Sequence, residues 1–190
     1  MSKAVLISIQ PKWCELIASG KKTVEVRKTR PKIETPFKCY IYCSDSGKDI
    51  FYNSVYSYDD VLYTPKHKED CKKRLAKNGH LIYNRKVIAE FICDKIVSAE
   101  EGSYFKLKCQ DIQLSADDLL DYANGKTVYG WHISNLIIYD FPKHIFYFCK
   151  PCDRDPQCDC NYCIRYSGNK PILRPPQSWC YVEEVHDERN

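Results

Sequence analysis

Gly20-Lys21-Lys22-Thr23-Val24-Glu25-Val26-Arg27 is the stretch on which the reading of this chain turns. It reads as a glycine turn feeding a strand that carries a lysine, a glutamate and an arginine close together. Side chains alternate faces along a strand, so Thr23, Glu25 and Arg27 share one side while Val24 and Val26 share the other. The valines are the residues with reason to face a core. Glu25 and Arg27 are then left roughly 7 Å apart along the strand on the opposite face, with Lys22 at its entrance. A solvated strand would use such residues as a surface ion pair, worth ~0–1 kcal/mol.

The residues before the glycine argue for more than that. Ala4-Val5-Leu6-Ile7-Ser8-Ile9 is a short apolar run that suits a buried strand. Pro11 stands where the first turn of a helix accepts proline, and Trp13, Leu16 and Ile17 recur at helical spacing. Gly20 then occupies the position at a helix C-terminus that favours positive φ. The opening unit is therefore strand, two-turn helix, glycine stop, strand.

With its G-x-K-x-x-E-x-R pattern, that unit resembles the ASCH family, whose domains adopt a β-barrel related to PUA RNA-binding modules. Three later segments fit the same resemblance. Lys86-Val87-Ile88-Ala89-Glu90-Phe91 is similar to the family's second core strand, and Tyr129-Gly130-Trp131-His132-Ile133 to its late strand. Arg174-Pro175-Pro176-Gln177-Ser178-Trp179-Cys180-Tyr181-Val182 resembles the ending common in bacterial and phage members. The resemblance implies an α+β, mainly β fold: a PUA-like small β-barrel with flanking short helices and a Cys-rich loop. It spans residues 1–190 as one domain, with insertions at about 44–85 and 144–170.

Composition agrees with one domain. A chain of 190 residues can bury a core without covalent staples. No run of ~18 apolar residues suggests a membrane span, and the N-terminus has no signal-peptide design, so a cytoplasmic location without membrane contact is expected. The net charge of +4 permits nucleic-acid binding without requiring it. Cations bunch at Lys21, Lys22, Arg27, Lys28, Arg30 and Lys32, and again at Lys66, Lys68, Lys72, Lys73, Arg74 and Lys77. The ordinary use of either bunch is a solvated face.

Further along, residues 38–43 alternate and are rich in β-formers. Residues 44–85 lose that pattern and read as an insertion bearing Tyr52, Tyr56, Tyr58 and Tyr63, with a charged run from Lys66 to Lys77 that suits a surface helix. Residues 87–93 resume the sheet, and a connecting strand is expected near residues 104–109. Ser115 reads as the N-cap of a helix with acidic residues in its first turn and Gly125 at its end. Residues 127–139 form a long β-rich segment, where Gly130 suggests a bend or bulge.

Twelve cysteines are many for this length. The dispersed ones, Cys14, Cys71, Cys93 and Cys109, read as buried or inert thiols. Cys149, Cys152, Cys158, Cys160 and Cys163 instead cluster, with His144 just upstream. Their two C-x2-C pairs have the spacing that brings two sulfurs onto one tetrahedral zinc, with Cys158 as a substitute ligand. The surrounding residues are too polar to order the segment by themselves, which a metal would do. Free thiols or redox pairs are the rival reading. A four-thiolate site has no open position, so the zinc would be structural.

Two functions follow from the resemblance. As a binding module, the domain would take RNA, a nucleotide or a nucleoside in a cleft beside the Gly20 turn. Lys22 and Arg27 would meet a phosphate or base edge, and Glu25 would accept from an exocyclic amine. Trp13 and Trp131 would stack on an extruded base, although core packing is the ordinary use of each. As a hydrolase, it would act on RNA or on a modified nucleoside in the manner of acetylcytidine amidohydrolases, with Lys22 and Glu25 catalytic. Glu25, however, stands where those enzymes carry threonine. Glu90, Glu100, Glu101 and Asp118 all remain open as the later acid. No serine–histidine or cysteine–histidine pairing and no phosphate-binding glycine loop is present at a useful spacing. A third reading, a protein-interaction adaptor, rests on the two insertions alone.

Overall fold

The computed structural model describes residues 3–45, 52–53, 81–82, 84–151 and 170–185. Strand β1 (Lys3–Ile9) leads into helix α1 (Pro11–Ala18), then β2 (Val24–Arg27) and β3 (Phe37–Cys43). Two short strands, β4 (Tyr52–Asn53) and β5 (Leu81–Ile82), pair antiparallel at the two ends of the first insertion. Then come β6 (Lys86–Cys93), β7 (Ile96–Ala99), helix α2 (Cys109–Ile112), helix α3 (Ala116–Ala123), β8 (Val128–His132) and β9 (Ser134–Lys143). The chain closes with β10 (Cys149–Lys150), β11 (Lys170–Pro171) and β12 (Trp179–Glu183).

These strands make a five-stranded sheet in the order β12-β1-β3-β6-β9 and a three-stranded sheet in the order β2-β8-β7. All neighbours are antiparallel except β1 and β3. A parallel pair needs a crossover, and here α1 and β2 supply it, placing the signature strand in the second sheet. The chain passes between the sheets at Asp94 and Lys95, and again at Ile133.

Alternation along β1 and β3 sorts their residues onto two faces. Val5, Ile7, Ile9, Cys39 and Ile41 pack with Phe91, Trp131 and Ile133 in a core between the sheets. Leu6, Tyr40, Tyr42 and Val87 pack on the reverse face under Ile145, Phe148 and Ile172. A third cluster holds α2 and α3 against the outer face of the three-stranded sheet, through Val26, Leu107, Ile112, Leu119 and Val128.

The helices end as their sequences require. Gly20 takes φ 72° after α1, and the Ser115 hydroxyl accepts from the Asp118 N–H at 3.0 Å to cap α3. Two expectations are corrected. Residues 104–109 form no strand; Tyr104–Lys106 is a 3-10 turn leading into α2, and the connecting strand is Ile96–Ala99. The i, i+3 spacing of Tyr104 and Leu107 sets both side chains into the third core, which a strand would not do. Nor does Gly130 make a bulge, since its ladders to Val26 and Val97 run unbroken. A Cβ there would lie 2.4 Å from Leu107 Cδ2 and 2.9 Å from Val24 Cγ1. Glycine is required so that Leu107 and Val24 can close over the strand.

Cys14 and Cys93 are buried, and burial pushes the Cys93 thiol up to about 12. Cys109 is exposed, at the start of α2. Cys71, the Lys66 to Lys77 run, Cys152, Cys158, Cys160 and Cys163 lie outside the described residues, as do the side chains of the insertion tyrosines. No helix among the described residues is long and apolar enough to cross a membrane.

Candidate functional site

The face of β2 opposite its valines opens onto a cleft of about 590 Å³. Lys22, Glu25 and Arg27 line it, together with Trp13 of α1, Tyr122 of α3, and Pro175 and Gln177 ahead of β12. The expected alternation holds: Val24 and Val26 pack into the third core while Glu25 and Arg27 turn to the cleft.

The charged residues are not solvated. Lys22 is 3 % exposed and Glu25 6 %. Glu25 lies between the two cations, with Oε2 3.6 Å from Lys22 Nζ and Oε1 2.9 Å from Arg27 Nη2. Each cation has a second acceptor. Lys22 Nζ donates to the Ile112 carbonyl at 2.5 Å, at the C-terminus of α2, where helix carbonyls lack partners of their own. Arg27 Nη2 donates to the Ser8 carbonyl at 2.6 Å. Arg27 Nε is buried without a hydrogen-bond partner.

The Gly20 turn sets this geometry. The Lys22 N–H donates to the Leu16 carbonyl at 2.9 Å, folding the chain back across the end of α1. Burial lowers the Lys22 pKa from the ordinary lysine value, and the Glu25 carboxylate opposes that shift.

Aromatic groups flank the charges. Trp13 is half-buried, with Lys12 Nζ 4.5 Å and Lys22 Nζ 5.0 Å from its ring centroid. Tyr122 is 37 % exposed, and burial of its remainder raises its hydroxyl pKa, with the Arg27 charge acting against the rise. The wall ahead of β12 is held by Ser8, whose hydroxyl donates to the Pro176 carbonyl at 2.7 Å and whose N–H donates to the Ser178 carbonyl at 2.9 Å.

The structure thus brings Lys22, Glu25, Arg27 and Trp13 into one site. It parts Trp131 from them. Trp131 is fully buried in the core between the sheets, its ring 6.0 Å from Phe37 and 5.9 Å from Trp179. Cys149 also lies elsewhere, in β10 beside the reverse core, where burial and the Glu183 charge raise its thiol pKa. Among the described residues no three His, Cys, Asp or Glu side chains converge as a metal group would.

Of the carboxylates considered for a later acid, Glu90 and Asp118 are engaged elsewhere, and neither they nor Glu100 and Glu101 line the cleft. Glu90 accepts from the Tyr139 hydroxyl at 2.6 Å and pairs with Lys38 at 3.5 Å, and Asp118 serves the α3 cap. His132 pairs with Asp94 at 2.7 Å on the surface, which lowers the Asp94 pKa. The sequence reading missed Ser8, Gln10, Ser44, Leu114, Tyr122 and Gln177, all lining residues. The Pro175-Pro176-Gln177 run was the one available signal, since adjacent prolines before a strand mark a fixed wall.

Comparison with known proteins agrees with this architecture. The family model described as "ASCH domain" matches residues 7–88. The fold is similar to crystal structures of an ASCH protein from Zymomonas mobilis. A tyrosine-to-phenylalanine mutant matches at TM-score 0.54 and 16 % identity, covering 96 % of this chain and 92 % of that one. A serine-to-alanine mutant matches at TM-score 0.54 and 16 % identity, covering 95 % of this chain and 89 % of that one. No curated protein matches the sequence.

Proposed function

This chain carries an ASCH domain, and from that premise we propose that it binds RNA or a nucleotide in the cleft beside Lys22, Glu25 and Arg27. The observation that carries the reading is the buried triad opening onto a cleft that Trp13 and Tyr122 also line. A nucleotide needs that combination: an aromatic face for the base, donors for phosphate or base edge, and an acceptor for an exocyclic amine. Because each charged group is already held by a neighbour, the floor is set before the ligand arrives, which lowers the ordering cost of binding. The family is linked to RNA binding in general, which agrees with this reading.

The arrangement favours binding over hydrolysis. Both Glu25 oxygens face cations, an arrangement that holds the carboxylate in place as an acceptor. No second carboxylate lines the cleft among the described residues. The test is mass spectrometry of the protein mixed with short RNAs and modified nucleosides, reading retained and converted species. Retention without conversion is expected, and Lys22→Ala and Arg27→Ala should each weaken it. Conversion of one component, lost in Glu25→Gln while binding persists, would overturn the binding reading in favour of the hydrolase.

The cysteine cluster enters the proposal as a structural zinc site outside the cleft. Cys149 begins the cluster in β10, and β11 pairs with β10 beyond its far end, so the segment leaves and returns at one hairpin. Elemental analysis of anaerobically purified protein should find about one zinc per chain. Protein without zinc would remove the metal from the proposal.

A further inference from the structure

The cations that follow Arg27 do not serve the cleft. Residues 28–35 line a second, broader groove of about 900 Å³, which Ile96 of β7 and Tyr129 of β8 also line. Lys28, Arg30 and Lys32 are exposed along it, with Glu34 the opposing carboxylate. Among the described residues none of these three cations forms an ion pair.

Two are laid on aromatic rings instead. Lys28 Nζ is 4.9 Å from the centroid of Tyr122, and the Arg30 guanidinium carbon is 5.9 Å from that of Tyr129. Tyr122 is a wall of the cleft and Tyr129 is the ladder partner of Arg27. The two depressions therefore meet at Lys28.

The segment is also fixed in place. Trp179 Nε1 donates to Thr29 Oγ1 at 2.9 Å, and the Lys32 N–H donates to the Tyr181 hydroxyl at 2.6 Å. Pro31 is buried between these anchors. A solvated face has no need of such pinning. A track of cations at set positions does.

We propose that this groove is a second subsite, which takes the sugar–phosphate backbone of nucleotides flanking the one held in the cleft. The ligand is then a single strand rather than a free nucleotide. A base that presents its edge to Glu25 and Arg27 must be unpaired, and a strand that is already single offers such a base without the cost of extruding it from a duplex. Unpaired cations beside stacking rings are the features that bind such a strand without reading its sequence. The inference rests on the cleft reading and adds a polyanion track to it.

The test is equilibrium binding of a mononucleotide and of mixed-sequence RNA strands of about four and about ten nucleotides, each over a range of salt. Wild-type affinity should rise with strand length. Arg30→Ala with Lys32→Ala changes two exposed residues that lie outside the cleft. It should weaken the longest strand about tenfold at low salt and reduce the slope of log affinity against log salt by about 1.4, at roughly 0.7 per lost phosphate contact. Mononucleotide affinity should stay at the wild-type value. Equal affinity for mononucleotide and strand, with the slope kept in the double variant, would overturn the groove and leave the cleft reading intact. A duplex or a polyglutamate peptide competing as well as the single strand would overturn it too. Failure of the wild type to bind mononucleotide and strand alike would remove both readings together.

Discussion

One face of the five-stranded sheet is closed by a second sheet, and the other by residues that bracket the cysteine cluster. On the cleft side, Val5, Ile7 and Ile9 meet Trp131 and Ile133 in a core continuous with the crossover from β1 to β3. On the reverse side, Leu6, Tyr40 and Tyr42 are covered by Ile145, Phe148 and Ile172. The strands are shared but the lids differ. A lid made of strands also carries Glu25 and Arg27, which turn to the cleft. A lid made of short connecting segments supplies apolar cover through Ile145, Phe148 and Ile172.

That contrast can be broken by experiment. The largest effect should come from Phe148→Ala, which removes a fully buried ring lying 4.8 Å from Tyr40. Its cost is about 3–5 kcal/mol, read as a fall in the denaturation midpoint, while the folded protein keeps its ligand affinity. The milder Ile172→Val should follow the same pattern at about 1 kcal/mol. A parallel loss of affinity in both would mean that the two faces are a single unit.

Glu25→Ala tests the cleft side. It leaves Lys22 and Arg27 buried without their shared carboxylate, a loss on the order of 3 kcal/mol, and here affinity should fall together with stability. Retained affinity would show that the triad is scaffold only. Gly130→Ala should cost about 1–3 kcal/mol by overpacking against Leu107 and Val24. Adding Leu107→Ala should recover part of it, and a purely additive double variant would exclude the contact as the cause.

The smallest effect is a pH dependence. Burial lowers the folded pKa of Lys22, so between that value and the ordinary lysine value the unfolded chain binds more protons. Stability should therefore rise with pH across that window, while affinity for a phosphate-bearing ligand should fall across it as the ammonium is lost. Lys22→Arg should abolish the fall in affinity, because a guanidinium does not titrate there. A wild-type fall retained in that variant would assign the titration to another group.

Much of the front of the molecule was legible in the sequence. β1, α1 and β2 follow from an apolar run, a proline at N1, a glycine with positive φ and strict alternation, all of them local signals. The shared face of Glu25 and Arg27, opposite the valines, was legible as well. Their burial was not, because it depends on Ile112, Ser8 and Pro175 arriving from distant parts of the chain. Trp131 and Trp13 carry similar local signals and end up differently. Strand β8 is covered on its inner face by the five-stranded sheet, whereas α1 lies at the rim of the cleft. The short strand at Ile96–Ala99 was hidden because only Asp94 and Lys95 separate it from β6, so one apolar stretch ran into the next.

Ser8, Pro176, Trp179 and Tyr181 tie the last strand to the first strand and to residues 28–35. On a ribosome, then, Lys22, Glu25 and Arg27 are made early and wait for the residues that give them a wall. A nascent chain stalled before β12 presents Lys22, Glu25 and Arg27 with neither the Pro175 and Gln177 wall nor the anchors of the groove. Under the proposed function, competence to bind then requires β12 and the residues just ahead of it.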